Sequence, residues 1–160
     1  HGDPDHSSNA AYLHEKYGAK IAMHKAEAEA VKQGDMFLSR GPQPPLRRWL
    51  LKPLVALFGL RKRNRFTPTL YFEDGDRLTE YGLDATILHV PGHSVGSIAV
   101  LTIDGAFFSG DFLENRTRPS IATLVDDADA LKAGFEKVKK LNIQIVYPGH
   151  GKPFTLDEIV

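Results

Sequence analysis

The chain opens with HGDPDH at residues 1–6, a run that contains two histidines and two aspartates. In an extended segment, residues two apart point to the same side, so His1 and Asp3 can converge on one ion. Pro4 favours an extended backbone at Asp3 and fixes its own φ, which bends the chain. Asp5 and His6 then lie at the mouth of the first predicted helix, where they can reach a second ion. The stretch predicts a polar, metal-binding loop.

Three further ligand candidates each follow an apolar strand and have a glycine beside them. They are His93 in VPGHS (90–94), Asp111 in FFSGD (107–111) and His150 in YPGHG (147–151). A rigid strand can deliver one side chain to one rim of a sheet, and small neighbours leave room for metal and substrate. The pattern therefore predicts that these three side chains meet at a common rim.

In this order, the seven residues resemble the signature of the metallo-β-lactamase fold superfamily, with glyoxalase II-like and lactonase-like members. That signature is His-x-His-x-Asp-His, then a later His, a bridging Asp and a final His. The resemblance covers nearly the whole chain and implies two divalent metal ions. Carried over by position, the first metal takes His1, Asp3 and His93, the second takes Asp5, His6 and His150, and Asp111 bridges both.

The resemblance also implies an activity. It predicts a metal-dependent hydrolase that uses a metal-bound hydroxide on a thioester, lactone or other ester-type substrate. Asp5 is the predicted catalytic residue, because it can orient the nucleophile and move its proton. The implied partner is a small-molecule substrate, and the sequence identifies no substrate-binding residue.

Asp3 departs from the signature, because the superfamily has histidine at this position. A carboxylate is a harder ligand than imidazole, so it favours iron or manganese over zinc. Flavodiiron proteins are similar in this respect, which leaves a di-iron redox module as an alternative function. That function needs an electron donor, and no flavin-binding domain is recognised in this sequence. A non-catalytic metal-binding fragment is the third alternative.

The order of elements predicts an α/β (α+β) fold, the αββα sandwich of the resembled superfamily, in one domain over residues 1–160. Helices are expected at 8–17, 25–33 and 127–140, and strands at 20–23, 69–73, 85–90, 97–103, 106–109 and 143–147. Asp104-Gly105 predicts a hairpin turn, and Asp126 or Asp127 can cap the last helix. Superfamily members carry several strands before the first motif, so the sandwich is expected to be incomplete on its N-terminal side.

Residues 36–68 form a Pro-rich insertion of mixed basic and apolar character. They contain five prolines, and Leu46–Arg65 holds seven Lys or Arg and no acidic residue. The segment is too short and too interrupted to be an integral membrane span. Three interpretations stay open. The segment is a lid over the substrate, in which Arg47, Arg48 or Arg61 meets an anionic group. Alternatively, it packs against another sheet or subunit, or it lies at a membrane interface.

Composition restricts the remaining possibilities. The chain has 160 residues, no cysteine and a formal net charge of zero. Thiolate chemistry and disulfides are excluded, and nothing indicates nucleic acid as a partner. The lack of cysteine agrees with a cytoplasmic location, and a homo-oligomer is left open. The sequence begins with His1 rather than Met, so we expect the natural N-terminus, with any targeting signal, to be missing.

Three other histidines are expected to lie outside the metal site. His14 falls on the exposed side of the first predicted helix, and His24 is placed to cap the second. His89 precedes His93 on a predicted strand. It either supports a metal ligand through a hydrogen bond or has a purely structural role.

Overall fold

The chain forms two compact units in the computed structural model, which describes residues 1–40, 46, 50, 53, 57 and 59–159. The first unit is His1–Tyr71 and the second is Phe72–Val160. Both contain helices and strands, so the predicted α/β fold class is confirmed. The assignment of residues 1–160 to a single domain stays a prediction.

The first unit is mainly helical. It contains α1 (Pro4–Ser7), α2 (Ala10–Tyr17), α3 (Ala28–Gln33) and a parallel strand pair, β1 (Ala22–Met23) with β2 (Leu70–Tyr71). Short 3-10 segments occur at Lys25–Glu27, Met36–Ser39 and Lys62–Asn64. Its core is apolar and consists of Ala11, Met23, Val31, Leu60 and Phe66. This core holds α2 and α3 against the segment around residue 60.

Helix boundaries in the first unit follow local chemistry. Both α2 and α3 end at glycines, Gly18 and Gly34, whose φ values of 66° and 73° are left-handed. Such helix ends favour glycine because it has no Cβ to clash with the following carbonyl. The predicted second helix begins as a 3-10 turn, and the His24 side chain accepts a hydrogen bond from the Ala26 N–H there. The predicted capping role of His24 is therefore confirmed.

The prediction that residues 1–6 form a loop is wrong for its second half. Residues 4–7 are helical, with Pro4 at the first helical position. Proline suits this position because its φ is already helical and it has no N–H to leave unpaired. The Asp3 carbonyl accepts from the N–H groups of His6 and Ser7 at 3.0 and 2.9 Å, so the turn closes directly behind Asp3.

The second unit is built on a four-stranded sheet. In spatial order its strands are β3 (Ala85–His89), β4 (Ile98–Thr102), β5 (Ala106–Gly110) and β8 (Ile145–Pro148). The first three strands pair antiparallel, and β8 pairs parallel to β5. A parallel neighbour requires a crossover. Here it contains the short pair β6 (Leu113–Glu114) and β7 (Ser120–Ile121), followed by α4 (Ala128–Val138).

Helix α4 packs on one face of this sheet. The core on that face includes Leu88, Phe107 and Val146 from the strands and Leu131 and Val138 from α4. A smaller cluster of Leu78, Ala85 and Ile87 covers the other face. Asp127 caps α4, as predicted, because its side chain accepts from the N–H groups of Asp129 and Ala130. These contacts fix the ends of β3, β5 and β8.

The expected strands occur, and most are one to three residues shorter than predicted. The β4–β5 hairpin turns at Asp104-Gly105, where Gly105 has φ 88°. The pair β6 and β7 was not predicted, because two-residue strands leave no periodic pattern to detect. Much of the 36–68 insertion, including Arg47 and Arg48, lies outside the described residues. The three interpretations of that segment stay predictions. Among the described helices, none has both the length and the apolarity needed to cross a membrane.

Candidate metal centre

The second unit brings together three of the predicted ligands, His93, Asp111 and His150, which we call the second ligand group. The Asp111 Oδ2 atom lies 3.8 Å from the His93 Nε2 atom and 3.5 Å from the His150 Nε2 atom. The His93 side chain is almost fully buried, and those of Asp111 and His150 are 11% and 26% exposed. The Asp111 carboxylate oxygen thus lies near two imidazole nitrogens at a partly open position.

The strand directions explain this convergence. The strands β3 and β5 both pair antiparallel to β4, so they run the same way, and β8 runs parallel to β5. The carboxyl ends of β3, β5 and β8 therefore share one edge of the sheet, which is where α/β proteins commonly place ligand sites. Gly110 is paired with Pro148, so the two strands end nearly level. Each ligand follows one of these three strand ends.

Neighbouring groups orient the His93 ring. Its Nδ1 atom lies 2.8 Å from the Leu124 carbonyl oxygen. A carbonyl can only accept, so Nδ1 donates this bond and the Nε2 atom faces Asp111. Histidines that bind metals usually hold their second ring nitrogen in this manner.

His89 supports the loop after β3. Its Nε2 atom lies 2.9 Å from the Val95 carbonyl oxygen, two residues beyond His93. Asp74 accepts from the His89 N–H and from the Lys137 ammonium group. The bond from Lys137 holds the pKa of Asp74 below its usual value. These bonds tie the end of β3 to α4.

The loops that carry Asp111 and His150 are also bonded to each other. The Asn115 N–H donates to the His150 carbonyl at 2.9 Å, and the Asn115 side-chain amide donates to the Lys152 carbonyl at 3.0 Å. Gly151 faces the Asn115 backbone so closely that an added Cβ would lie 1.9 Å from its carbonyl oxygen. Glycine at 151 is therefore required by packing.

The first unit contains the other four predicted ligands, His1, Asp3, Asp5 and His6, which we call the first ligand group. The His1 Nε2 atom is 3.7 Å from the Asp3 Oδ2 atom, and the His6 Nε2 atom is 3.7 Å from the Asp5 Oδ2 atom. The His1 and His6 rings are 4.4 Å apart between centroids. The side chains of His1 and Asp3 are buried, whereas that of Asp5 is 57% exposed.

A buried carboxylate holds the backbone of the first ligand group. Glu27 is completely buried, and its Oε2 atom accepts from the Gly2 N–H at 2.9 Å. A Cβ on Gly2 would lie 2.6 Å from Val31 Cγ1, so the loop sits directly on α3. The Ser7 hydroxyl donates to the carbonyls of Gly2 and Asp3. The path from His1 to Asp3 is therefore fixed by groups on two elements.

Glu27→Ala tests this support. The substitution leaves the Gly2 N–H without this acceptor and opens a cavity. We expect the free energy of unfolding to fall by about 1–3 kcal/mol or more. Denaturant unfolding measures the change, with Glu29→Ala as the matched control. Glu29 is two residues away, exposed and bonded to Gln33, so its removal should change stability by less than about 0.5 kcal/mol. Equal losses in the two variants would contradict the assigned role of Glu27.

Two buried charged residues near the first ligand group were missed by the sequence analysis, Glu27 and Arg40. The Arg40 guanidinium donates to the Asp3 carboxylate, and both side chains are over 90% buried. Glu27 lies in the run KAEAEA, where nothing distinguishes it from Glu29. Arg40 precedes a Pro-rich stretch and looks like one more basic residue of the insertion. No sequence signal separates these two from surface charges.

The donor atoms fit a transition metal in both groups. Imidazole nitrogen and carboxylate oxygen are the ligands that zinc, iron and manganese accept in proteins. Within each unit, carboxylate oxygens and imidazole nitrogens of these residues lie 3.5–3.8 Å apart. His14 and His24 are in neither group; the Nδ1 atom of His14 bonds with the Ala19 carbonyl, and that of His24 accepts from the Ala26 N–H.

Comparison with known proteins agrees with the order of these motifs. Residues 1–150 match the family described as the metallo-beta-lactamase superfamily. Curated relatives include proteins named acyl-coenzyme A thioesterase MBLAC2 from Bos taurus and Homo sapiens. Each is 27% identical over 154 residues, which is 88% of this chain and 52% of the relative. The chain thus spans about half the length of these relatives.

Two solved structures resemble the whole chain. One, described as TTHA1623 in a di-iron-bound form, is 26% identical with a TM-score of 0.71 and is matched over 98% of this chain and 70% of its own. The other, the BLEG-1 B3 metallo-beta-lactamase, is 21% identical with a TM-score of 0.72 over 99% and 70%. The fold is therefore the one that these proteins share.

Proposed function

The chain belongs to the metallo-beta-lactamase superfamily, and from this premise we propose that it is a metal-dependent hydrolase of acyl thioesters. The observation that carries the proposal is the second ligand group. Its three side chains come from three strand-end loops, and the Asp111 Oδ2 atom lies within 3.8 Å of a ring nitrogen of each histidine. An arrangement of two imidazoles and a carboxylate at the open edge of a sheet suits a catalytic metal better than a structural role.

In this proposal, the two ligand groups together form one binuclear centre for zinc, iron or manganese. The first ion takes His1, Asp3 and His93, the second takes Asp5, His6 and His150, and Asp111 is shared. The order of the motifs along the chain and the fit of each group by itself support this assignment. When bound, the ions supply Lewis acidity and a water molecule whose pKa is lowered towards neutrality.

The protein side chains position the metal ligands and handle the proton. His93 is held by the Leu124 carbonyl, so its Nε2 atom keeps one direction and needs no reorganisation. Asp111 supplies negative charge between two imidazoles. Asp5 has the most exposed carboxylate of the two ligand groups, so its oxygen can hold the proton of the attacking water and pass it to solvent.

The names of the curated relatives support a thioester as the substrate. The bovine and human relatives are named acyl-coenzyme A thioesterases. Lactones and other esters need the same attack on a carbonyl carbon, so they remain secondary substrates in this proposal. The neighbour described as di-iron-bound supports iron as one of the ions to be tested.

A metal-dependent substrate screen tests the proposal. The protein is stripped with a chelator, reloaded separately with zinc, manganese or ferrous iron, and assayed on an acyl-coenzyme A, a lactone, a phosphodiester and a β-lactam. We expect the highest kcat/KM on the acyl-coenzyme A, lost with chelator and restored by metal. His150→Ala should abolish the activity, whereas His14→Ala, which changes an exposed histidine, should leave it intact.

Other outcomes of the screen point elsewhere. A higher kcat/KM on the phosphodiester would reject the thioester assignment but keep the hydrolase. Bound metal without hydrolysis of any substrate would reject the hydrolase. A protein that retains iron and is oxidised and reduced reversibly, yet hydrolyses nothing, would instead support the di-iron redox function.

A further inference from the structure

The ion pair between Asp3 and Arg40 joins a predicted metal ligand to a buried arginine. The Arg40 Nη2 atom donates to the Asp3 Oδ2 atom, and the two side chains are only 6% and 7% exposed. The pair of Arg77 and Asp84, by contrast, is 59% and 50% exposed. Removing two charges from water is costly, and such buried pairs often add little net stability. Stability alone is therefore a weak reason for this pair.

The backbone of both residues is fixed independently of the pair. The Asp3 carbonyl closes the first turn of α1 and also accepts from the Ser7 hydroxyl. Arg40 ends the 3-10 segment Met36–Ser39, which the Asp35 side chain caps by accepting from the Phe37 N–H. Arg40 reaches the side chain of Asp3. It approaches the same oxygen, Oδ2, that lies 3.7 Å from the His1 Nε2 atom.

Resting on the proposed metal centre, we propose that Asp3 and Arg40 act as one neutral ligand unit. An aspartate at this position adds a negative charge that a histidine would not. The guanidinium cancels this charge and leaves the second carboxylate oxygen to bind metal. The pair has the net charge of a neutral imidazole, so Arg40 is a positioning residue that sets which ions the first ligand group accepts.

The neutral unit changes the expected metal preference. A full carboxylate favours hard ions such as manganese, but a carboxylate whose other oxygen is bonded to a guanidinium donates less charge to the metal. We therefore expect zinc to remain a competent ion, despite the aspartate. Replacing one member of the pair should change either the metal preference or the metal affinity. Replacing both members should restore zinc binding.

Three variants separate this inference from a purely structural role. Asp3→His alone leaves the Arg40 charge uncompensated beside the metal, so affinity for both zinc and manganese should fall by about 10- to 100-fold. Arg40→Met alone leaves a full carboxylate, so the zinc-to-manganese affinity ratio should shift towards manganese by about 10-fold. The double variant Asp3→His with Arg40→Met is neutral again and should bind zinc within a few-fold of the unmodified chain.

Affinities are measured by competition with a chromophoric chelator, and melting temperatures are recorded with metal removed. Arg77→Met, which breaks the exposed pair with Asp84, is the matched control and should change neither affinity. The double variant buries no unpaired charge, so it should fold even if a single variant does not.

The rescue by the double variant decides the outcome. If it binds zinc as weakly as Asp3→His, or if Asp3→His alone binds as tightly as the unmodified chain, the inference is overturned. A change in melting temperature without any change in the affinity ratio would make the pair structural and also overturn it. These measurements use no substrate, so a chain that binds metal but hydrolyses no thioester rejects the proposed activity and leaves this inference standing. A chain that binds no metal rejects both.

Discussion

Asp111→Asn is expected to lower metal occupancy and thioester hydrolysis by more than about 100-fold while the protein stays folded. The loss of an outer partner of a metal ligand already costs about 10- to 100-fold, and Asp111 is a proposed ligand itself. It is the only carboxylate of the second ligand group and lies between two imidazoles. Asparagine keeps the shape but removes the charge and turns one oxygen into a donor.

Elemental analysis and kcat/KM on an acyl-coenzyme A measure this effect, and circular dichroism checks the fold. Asp104→Asn is the matched control, because Asp104 is an exposed residue in the turn of the β4–β5 hairpin. We expect that control to retain full metal content. Normal activity in Asp111→Asn would contradict the bridging role, and loss of folded content in that variant would make Asp111 structural.

Gly92→Ala is expected to produce a large loss of stability, about 2–6 kcal/mol. Gly92 has φ 134°, a conformation that other residues rarely adopt. A Cβ added there would lie 2.6–2.8 Å from three atoms of Leu131, two of which belong to the backbone of α4. The Gly92 carbonyl also accepts from the N–H groups of Asp126 and Asp127, at the start of that helix. The loop before His93 cannot move without moving α4.

Gly75→Ala separates the two causes. Gly75 has φ 92°, but an added Cβ would have nothing within 4 Å, so its substitution reports the backbone cost alone, about 1–3 kcal/mol. Denaturant unfolding of both variants gives the contact cost by difference. Equal losses would show that α4 adjusts to the added methyl group. A larger loss for Gly92→Ala should be accompanied by weaker metal binding, because His93 is the next residue.

The candidate ligands could be named from the sequence because each has a local signature. His93, Asp111 and His150 directly follow apolar strands and adjoin glycines, and strand ends are visible in a sequence. The sequence also indicated the hairpin at Asp104-Gly105 and the cap at Asp127. These features depend on a few neighbouring residues, which is why single-sequence patterns reach them.

The supporting residues depend on tertiary contacts and could not be predicted. Arg40 meets Asp3 across 37 positions, and Glu27 meets Gly2 across 25. Nothing in the neighbourhood of either residue distinguishes it from an exposed charge. The helical turn at Pro4–Ser7 was missed for a different reason, since the two-residue spacing of His1 and Asp3 suggested that the extended backbone continued further.

The parallel pairing of β5 with β8 has a consequence for the order of folding. The antiparallel strands β3, β4 and β5 are joined by short connections, so they can pair early. The pairing of Ala106 in β5 with Ile145 in β8, by contrast, closes a loop that contains the whole crossover. Non-local pairings form slowly because the loop entropy is lost before any contact is gained. Asp111 and His150 therefore meet only in the late steps of folding. Metal added during refolding should therefore change the rate of these late steps and not the rate of the initial collapse.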